Sequence, residues 1–475
     1  MHPMRRHCKS GTSTPATVLA REDTIVVDEK ELSMKLDNET SDPNLVSWYG
    51  DDDPDNPRNW SPAKRAFVAF SISLMTFTMY IGSAIYTPSI PGIMSDFNVT
   101  LVHATLGLTL YVLGYGIGPM FLSPMQELPV LGRNIIYMAS FFLFVIFQIP
   151  IITATNIQND SCISPALATG GASMGDIYPA NQLAYVVGIW AIGAVGGPIA
   201  GPVIGGFAAQ AKGWRWAQYE LIWLSAFSFV FLMMFLPGDV RTYDPAEASA
   251  ATQKSFTGNQ QLMSKGEKDT EGESIALLRP FILAKEPVLM FANVYLGFVY
   301  AIFYLWFEAF PLVFTDIYNF NLGISGLPFL GFFVSAAATY TFYVLYQKLH
   351  IEPPSLFIPT SLLIFGFGSR ENVHWIVPII GASLYLPGIY LNFQSILMYV
   401  TSAYPLYAAS VLAGNDLFRS SIASVFPLFG RAFFTNLGLG PASALLAGVS
   451  LLMMPVFWSL MKWGHLLRSR SKICS

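Results

Sequence analysis

Charge is scarce in this chain. Asp, Glu, Lys and Arg together make up 12% of its 475 residues, about half the roughly 25% of an ordinary soluble domain. The formal net charge of −4 gives no basic surface for a nucleic-acid backbone. Cysteine is rarer still. Cys8, Cys162 and Cys474 lie too far apart in sequence for a metal motif and offer no disulfide framework. No cluster of His, Cys or carboxylates has ligand or catalytic spacing, so neither a bound metal nor a membrane enzyme is expected. A G-x-x-x-x-G-K-[ST] phosphate loop is also missing, which argues against transport driven directly by ATP. No cofactor is implied. Residues 1–60 contain no apolar run that could serve as a signal peptide.

What is present is apolar mass: 53% hydrophobic residues, 15% aromatics and 37 Phe. It comes in blocks. A helix needs about 20 mostly apolar residues to cross hydrocarbon. Candidate spans fall near 66–87, 104–125, 134–155, 183–206, 216–236, 288–310, 323–346, 355–368, 373–398, 406–428 and 439–461, with 161–180 as a doubtful addition. The expectation is an all-α polytopic membrane protein of eleven or twelve helices, with the fourth and ninth shortened. Barrel strands would alternate polar and apolar over about ten residues, and these blocks do not.

The polar intervals set the domain plan. Residues 1–60 read as a disordered cytoplasmic tail and 61–236 as an N-terminal bundle. A flexible linker is expected over 237–285, a second bundle over 286–462 and a short cytoplasmic tail over 463–475. Lys64, Arg65, Arg133, Arg279, Lys285, Lys348, Lys462, Arg468, Arg470 and Lys472 fall on one side if both termini are cytoplasmic. Lys212, Arg215, Arg370 and Arg431 form the outside minority. The Asn98-Val99-Thr100 and Asn159-Asp160-Ser161 sequons then lie outside, open to glycosylation.

Two motifs stand out. On the fifth span, Gly193, Gly197, Gly201 and Gly205 recur every four residues, making one smooth face where a neighbouring backbone can approach closely. Pro198 and Pro202 remove two helical hydrogen bonds and should bend that helix. The second motif runs from Gly118 and Pro119 to Glu127, Gly132 and Arg133. Gly132 permits a tight turn there, while Glu127 and Arg133 can form charge-assisted hydrogen bonds at the helix ends.

The g-x-x-x-G-P-x-x-G-G pattern through Gly197, Gly201, Pro202, Gly205 and Gly206 resembles the antiporter signature of drug:proton exporters of the major facilitator superfamily. The second motif is similar to that superfamily's gating loop in its fungal form, S-E-x-P-x-x-G-R, with the Ser displaced by Pro124-Met125-Gln126. Further fragments extend the resemblance to fungal twelve-spanner drug:proton antiporters over roughly 51–472. They are D-P-D-N-P-R-N-W at 53–60, P-A-L-A-T-G-G-A-S at 165–173 and G-W-R-W at 213–216. W-F-E-A-F-P at 306–311, R-S-S at 419–421 and F-P-L-F-G at 426–430 complete the set. The resemblance implies two six-helix bundles around a cavity that opens alternately to either side, and export of multidrug, fluconazole or polyamine type. It also implies the plasma membrane, small-molecule substrate and protons as partners, a lipid surround and a monomer.

Ionisable groups inside spans are costly and usually functional. Glu308 falls near the end of the seventh span, where a carboxylate can reach the interface. Asp416 and Arg419 lie one turn apart and can pair on one helix face. Asp176 reads as a helix-end charge. Tyr111, Tyr115, Tyr295, Tyr300, Asn392 and Gln394 could line an aromatic, weakly polar cavity for bulky apolar or cationic compounds. Glu308 and Asp416 are the carboxylates whose protonation could compete with substrate.

The chain departs from the family in its fourth span. Relatives carry an arginine just before the P-A-L-A-T-G-G segment, thought to take part in proton coupling, yet no Arg or Lys occurs here between Arg133 and Lys212. Roughly ten residues are missing on the family pattern, and Ser402 stands where relatives usually have an acidic residue. A degenerate, non-transporting paralogue or sensor and a proton-coupled importer therefore remain open beside the exporter.

Overall fold

The computed structural model describes residues 45–46, 57–126, 132–153, 174, 177–178, 180–235, 263–264, 286–349, 356–403 and 408–468. Most of the expected tails, most of the 237–285 linker, Glu127, Asp176 and all but four residues of the doubtful 161–180 span lie outside them. So do the surroundings of Gly132 and the side chains of Arg133 and Ser402.

The described part is almost wholly helical. It comprises α1 (Pro62–Ile85), α2 (Ile90–Phe97), α3 (Leu101–Gln126), α4 (Gly132–Ile152), α5 (Ala180–Lys212) and α6 (Trp214–Phe235). After the linker come α7 (Pro287–Phe310), α8 (Leu330–Leu349), α9 (Phe357–Gly368), α10 (Ile376–Ser383), α11 (Tyr385–Ala403), α12 (Ala408–Leu437) and α13 (Leu439–Arg468). Two strands of two residues each, Leu45–Val46 and Met263–Ser264, are the other regular elements of note. The described residues from Val46 onward pack as one unit.

Local chemistry explains the helix ends. Ser61 caps α1, its Oγ accepting from the Lys64 N–H at 3.3 Å, and Pro62 occupies the first turn, where no donor is needed. Gly213 turns the chain from α5 into α6 at φ 91°, and Gly438 turns α12 into α13 at φ 84°. Both conformations are open to glycine and strained for other residues. Within the spans, serine and threonine hydroxyls donate to carbonyls one turn back, as from Ser71 to Phe67 and Thr76 to Ile72 at 2.9 Å. Those bonds keep polar groups satisfied where lipid offers no partner.

Among the described residues, eight helical stretches are long and apolar enough to cross a membrane: Pro62–Phe97, Leu101–Leu122, Ile135–Ile152, Tyr185–Lys212, Trp214–Phe235, Leu289–Ile317, Ile324–Leu345 and Ile376–Ile396. Phe357–Gly368 and Leu439–Pro455 are shorter apolar helices, so the ninth block is short as expected. The 30-residue α12 is not among the eight, since Asn415, Asp416, Arg419 and a run of serines dilute its apolar character. The block near 373–398 is broken in two at Leu384, between α10 and α11.

Burial sorts these helices. In the apolar 18-residue stretch of Leu289–Ile317 89% is buried, whereas in that of Trp214–Phe235 only 28% is. α7 is therefore central. α6 is peripheral and shows Trp223, Phe227, Met233 and Met234 outward, as a lipid-facing helix should. α1 runs along α5, while α12 packs against both α7 and α3. The contact of α12 with α3 joins helices from either side of the linker, and α3, α7 and α12 together enclose the polar cluster described next.

Past Phe310 the seventh span does not stop. It widens into a π-helical turn over Pro311–Ile317. Glu308 therefore sits well inside the span and is only 5% exposed, which corrects the expectation of an interfacial carboxylate. Turns of this kind are rare overall and frequent at functional sites.

Candidate functional site

Three helices bring four phenols together at the centre. Tyr80 comes from α1, Tyr115 from α3, and Tyr300 with Tyr304, one turn apart, from α7; all are buried. Tyr115 Oη donates to Tyr300 Oη at 3.1 Å and lies 2.9 Å from Tyr304 Oη. Tyr304 Oη donates to Ser83 Oγ of α1 at 3.1 Å. A row of hydroxyls thus crosses between helices that precede and follow the linker. The rings of Tyr80 and Tyr115 pack at 5.2 Å, as do those of Tyr300 and Tyr304.

Arg419 closes this cluster from α12. Its guanidinium is paired with Asp416 on the same helix and donates to Tyr80 Oη at 3.3 Å. It also lies over the rings of Tyr300, 4.4 Å from the centroid, and Phe393, 5.0 Å away. A cation between two π faces, with a carboxylate one turn away, is a strong electrostatic arrangement in a low-dielectric interior. The pair is internally neutral, and Arg419 Nε remains buried without a hydrogen-bond partner. Gly116 of α3 backs directly onto Ser420, which lets α12 sit this close.

The structure assembles some of the sequence candidates and separates others. Tyr115, Tyr300, Asp416 and Arg419 meet in the cluster. Tyr111 packs edge-on to Tyr115, but its hydroxyl is tied to the Met79 carbonyl at 2.6 Å. Tyr295 stacks on Phe291 instead. Asn392 donates to the Gly388 carbonyl at 2.8 Å, within its own helix. Gln394 is buried with both amide atoms unpartnered. The residue between those two, Phe393, is the one that reaches Arg419. Tyr80, Ser83, Tyr304 and Phe393 complete the site beyond the sequence candidates. The i, i+4 repetition of Tyr300 and Tyr304 was the available signal for one of them.

The glycine motif is also resolved. A Cβ on Gly197 would lie 2.7 Å from the Phe77 carbonyl oxygen, and one on Gly201 would lie 2.6 Å from the Ile85 nitrogen. One on Gly205 would meet the Ile85 carbonyl oxygen at 2.6 Å. The expected backbone approach is real, and the partner is α1. Gly206 faces the other way, against Leu322 in the turn before α8. Of the second motif, Gly118 and Pro119 lie in the last turns of α3, while Gly132 and Arg133 open α4.

Glu308 stands apart from the tyrosine cluster. Its Oε1 is buried with no hydrogen-bond partner, and the residue lines a cavity of about 520 Å³. The same wall carries Asp316 and Arg431, paired at 3.0 Å and each nearly half exposed.

Comparison with known proteins matches a family model described as Major Facilitator Superfamily to residues 72–427. "Transporter mfs1" of Schizosaccharomyces pombe is 39% identical over 90% of this chain and 88% of its own length. "Fluconazole resistance protein 1" of Saccharomyces cerevisiae is 36% identical, covering 91% of this chain and 85% of its own. "Cycloheximide resistance protein" of Candida maltosa is 37% identical, covering 90% and 85% respectively. Among solved structures, a peptide transporter bound to alafosfalin superposes with a TM-score of 0.60 at 12% identity, over 84% of this chain and 95% of its own. The human organic anion transporter MFSD10 gives 0.57 at 15% identity, over 83% and 99%. At such identities the likeness is one of fold.

Proposed function

We propose that this chain, which belongs to the Major Facilitator Superfamily, is a proton-driven exporter of small amphipathic or cationic compounds such as drugs, toxins or polyamines. It has the major facilitator fold and is a multi-pass membrane transporter of small molecules, not an enzyme. The observation that carries the finer reading is the buried cluster of Tyr80, Tyr115, Tyr300 and Tyr304 around Arg419, shared by helices from both sides of the linker. Buried polar groups at the meeting of two helical bundles are where alternating access places a substrate. Aromatic faces suit bulky apolar or cationic bodies.

The cycle needs a carboxylate that holds either a proton or the cationic substrate, so that each half of it carries one of them. Glu308 meets that need, being buried and unpartnered, while Asp416 is engaged by Arg419. The glycine face of α5 on α1 is the hinge, and Gly118, Pro119, Glu127, Gly132 and Arg133 form the cytoplasmic gate. Both termini are cytoplasmic in this reading, the protein is a monomer in the plasma membrane, and the Asp316–Arg431 end faces outside.

The test is accumulation of fluconazole and cycloheximide, the compounds named in its relatives, in yeast stripped of its own exporters. Expression should lower accumulation, and a protonophore or Glu308→Gln should abolish that effect. Raised accumulation would make the chain an importer. No change from well-localised protein would favour a non-transporting paralogue, the reading supported by the missing positive charge between Arg133 and Lys212.

A further inference from the structure

The cavity beside Glu308 shares α7 and α12 with the tyrosine cluster but is lined by other residues, beginning one turn beyond Tyr304 at Phe307 and Glu308. It lies where the turn after α1, the α5 midsection, the π-helical end of α7 and the turn before α8 converge. Its walls are largely apolar: Pro88, Pro91, Pro202 and Pro311 stiffen it, and Ile90, Met94, Leu101 and Leu322 fill the gaps. The rings of Phe307 and Phe329, stacked at 5.3 Å, form one side.

Two polar groups on this wall lack partners. Glu308 Oε1 and Thr87 Oγ1 are both buried without a hydrogen bond, on residues only 5% and 8% exposed. A buried acceptor left unmatched costs free energy, so a pair of them on one cavity marks a place for a donor. The charges specify its sign. Arg431 is paired with Asp316 at the mouth, so Glu308 is the carboxylate on the described wall that has no ion pair of its own. Carboxylate, hydroxyl, stacked rings and apolar walls together describe a receptor for one protonated amine with a hydrocarbon or aryl body.

We propose that this cavity is a binding site for hydrophobic primary monoamines. The ammonium donates to Glu308 and Thr87, and the apolar body lies along Phe307 and Phe329. A primary ammonium has three N–H donors. A quaternary ammonium has none and would leave both acceptors unmatched. A short diamine would bury its second charge against apolar wall with no counter-charge. The site therefore ranks hydrophobic monoamine above both, an inference that rests on the role proposed above for Glu308 and narrows its cationic substrates away from polyamines.

Equilibrium binding to the purified full-length protein, with no gradient present, tests this separately from proton-driven export. Isothermal titration would use 3-phenylpropylamine, its N,N,N-trimethyl analogue and 1,3-diaminopropane. The amine should bind, and each of the other two should bind at least about tenfold more weakly, the size of one charge-assisted hydrogen bond. Glu308→Gln should weaken the amine by about tenfold or more, and Thr87→Val by a few-fold. Should Glu308→Gln fail to fold, Thr315→Trp, which fills the cavity from the π-helical turn, should remove binding with Glu308 intact. Three results would overturn the proposal: no binding of the amine to the unmodified protein, equal affinity for amine and trimethyl analogue, or binding that survives both variants and is lost on Tyr304→Phe. The last would move the amine to the central cluster and leave export itself untouched.

Discussion

Adding a single methyl group at Gly201 probes a close backbone contact between α5 and α1. An alanine Cβ there would stand 2.6 Å from the Ile85 nitrogen, 2.7 Å from Ala84 Cβ and 2.8 Å from the Ala84 carbonyl carbon. Ordinary contact begins near 3.4 Å, so α1 and α5 must separate by about 0.8 Å or more. Two of the three atoms met are backbone, which cannot rotate away as a side chain would. Overpacking of this kind costs about 1–3 kcal/mol. Alanine also gains about 1 kcal/mol over glycine in a helix interior, which masks part of that cost. Gly448 of α13 isolates the gain, because a Cβ there meets nothing within 4 Å. Gly193 is intermediate, its nearest atom being the Ser73 carbonyl oxygen at 3.4 Å. The expected order of thermal stability in detergent is Gly448→Ala at or above the unmodified protein, Gly193→Ala close to it, and Gly201→Ala lower than Gly448→Ala by about 1–3 kcal/mol. Gly201→Leu should block export altogether. If Gly201→Ala matches Gly193→Ala in stability, or Gly201→Leu exports normally, the close-packed hinge is wrong.

Other perturbations follow from the same geometry. Arg419→Gln strands Asp416 without its partner and should cost about 3–5 kcal/mol or prevent accumulation of folded protein; adding Asp416→Asn should recover most of that loss in a double-mutant cycle. Tyr304→Phe keeps the ring but removes the hydroxyl that joins Ser83 to Tyr115, for a loss of about 1 kcal/mol in thermal unfolding. Asp316→Asn acts on a pair whose side chains are 47% and 40% exposed, so the stability change should stay within about 1 kcal/mol and shrink further in high salt.

The glycine face illustrates how far sequence reading reaches. Spacing of four residues puts Gly193, Gly197, Gly201 and Gly205 on one stripe, because the helical period is 3.6, and a stripe without side chains must meet something flat. That the flat thing is the backbone of α1 at Phe77, Ile81 and Ile85 is a tertiary fact. Asp416 and Arg419 were likewise readable as a pair from their separation of three. Glu308 was misjudged because the local pattern ends the seventh span there, whereas the π-helical turn carries the helix on to Ile317.

Composition and block length alone determined that this is a polytopic helical membrane protein, since apolar runs of that length are stable only in lipid or in a large core. Motif spacing determined the family, and with it the transporter class. The binding chemistry was decided by folding. Tyr115 and Tyr304 are separated by 189 positions in the chain, and Arg419 and Tyr80 by 339, yet each pair is in hydrogen-bond contact. Periodicity reports which face of a helix is apolar, but not which distant helix will cover it. That choice belongs to the packing of α1, α3, α7 and α12 against one another, as does the cavity that leaves Glu308 and Thr87 without partners.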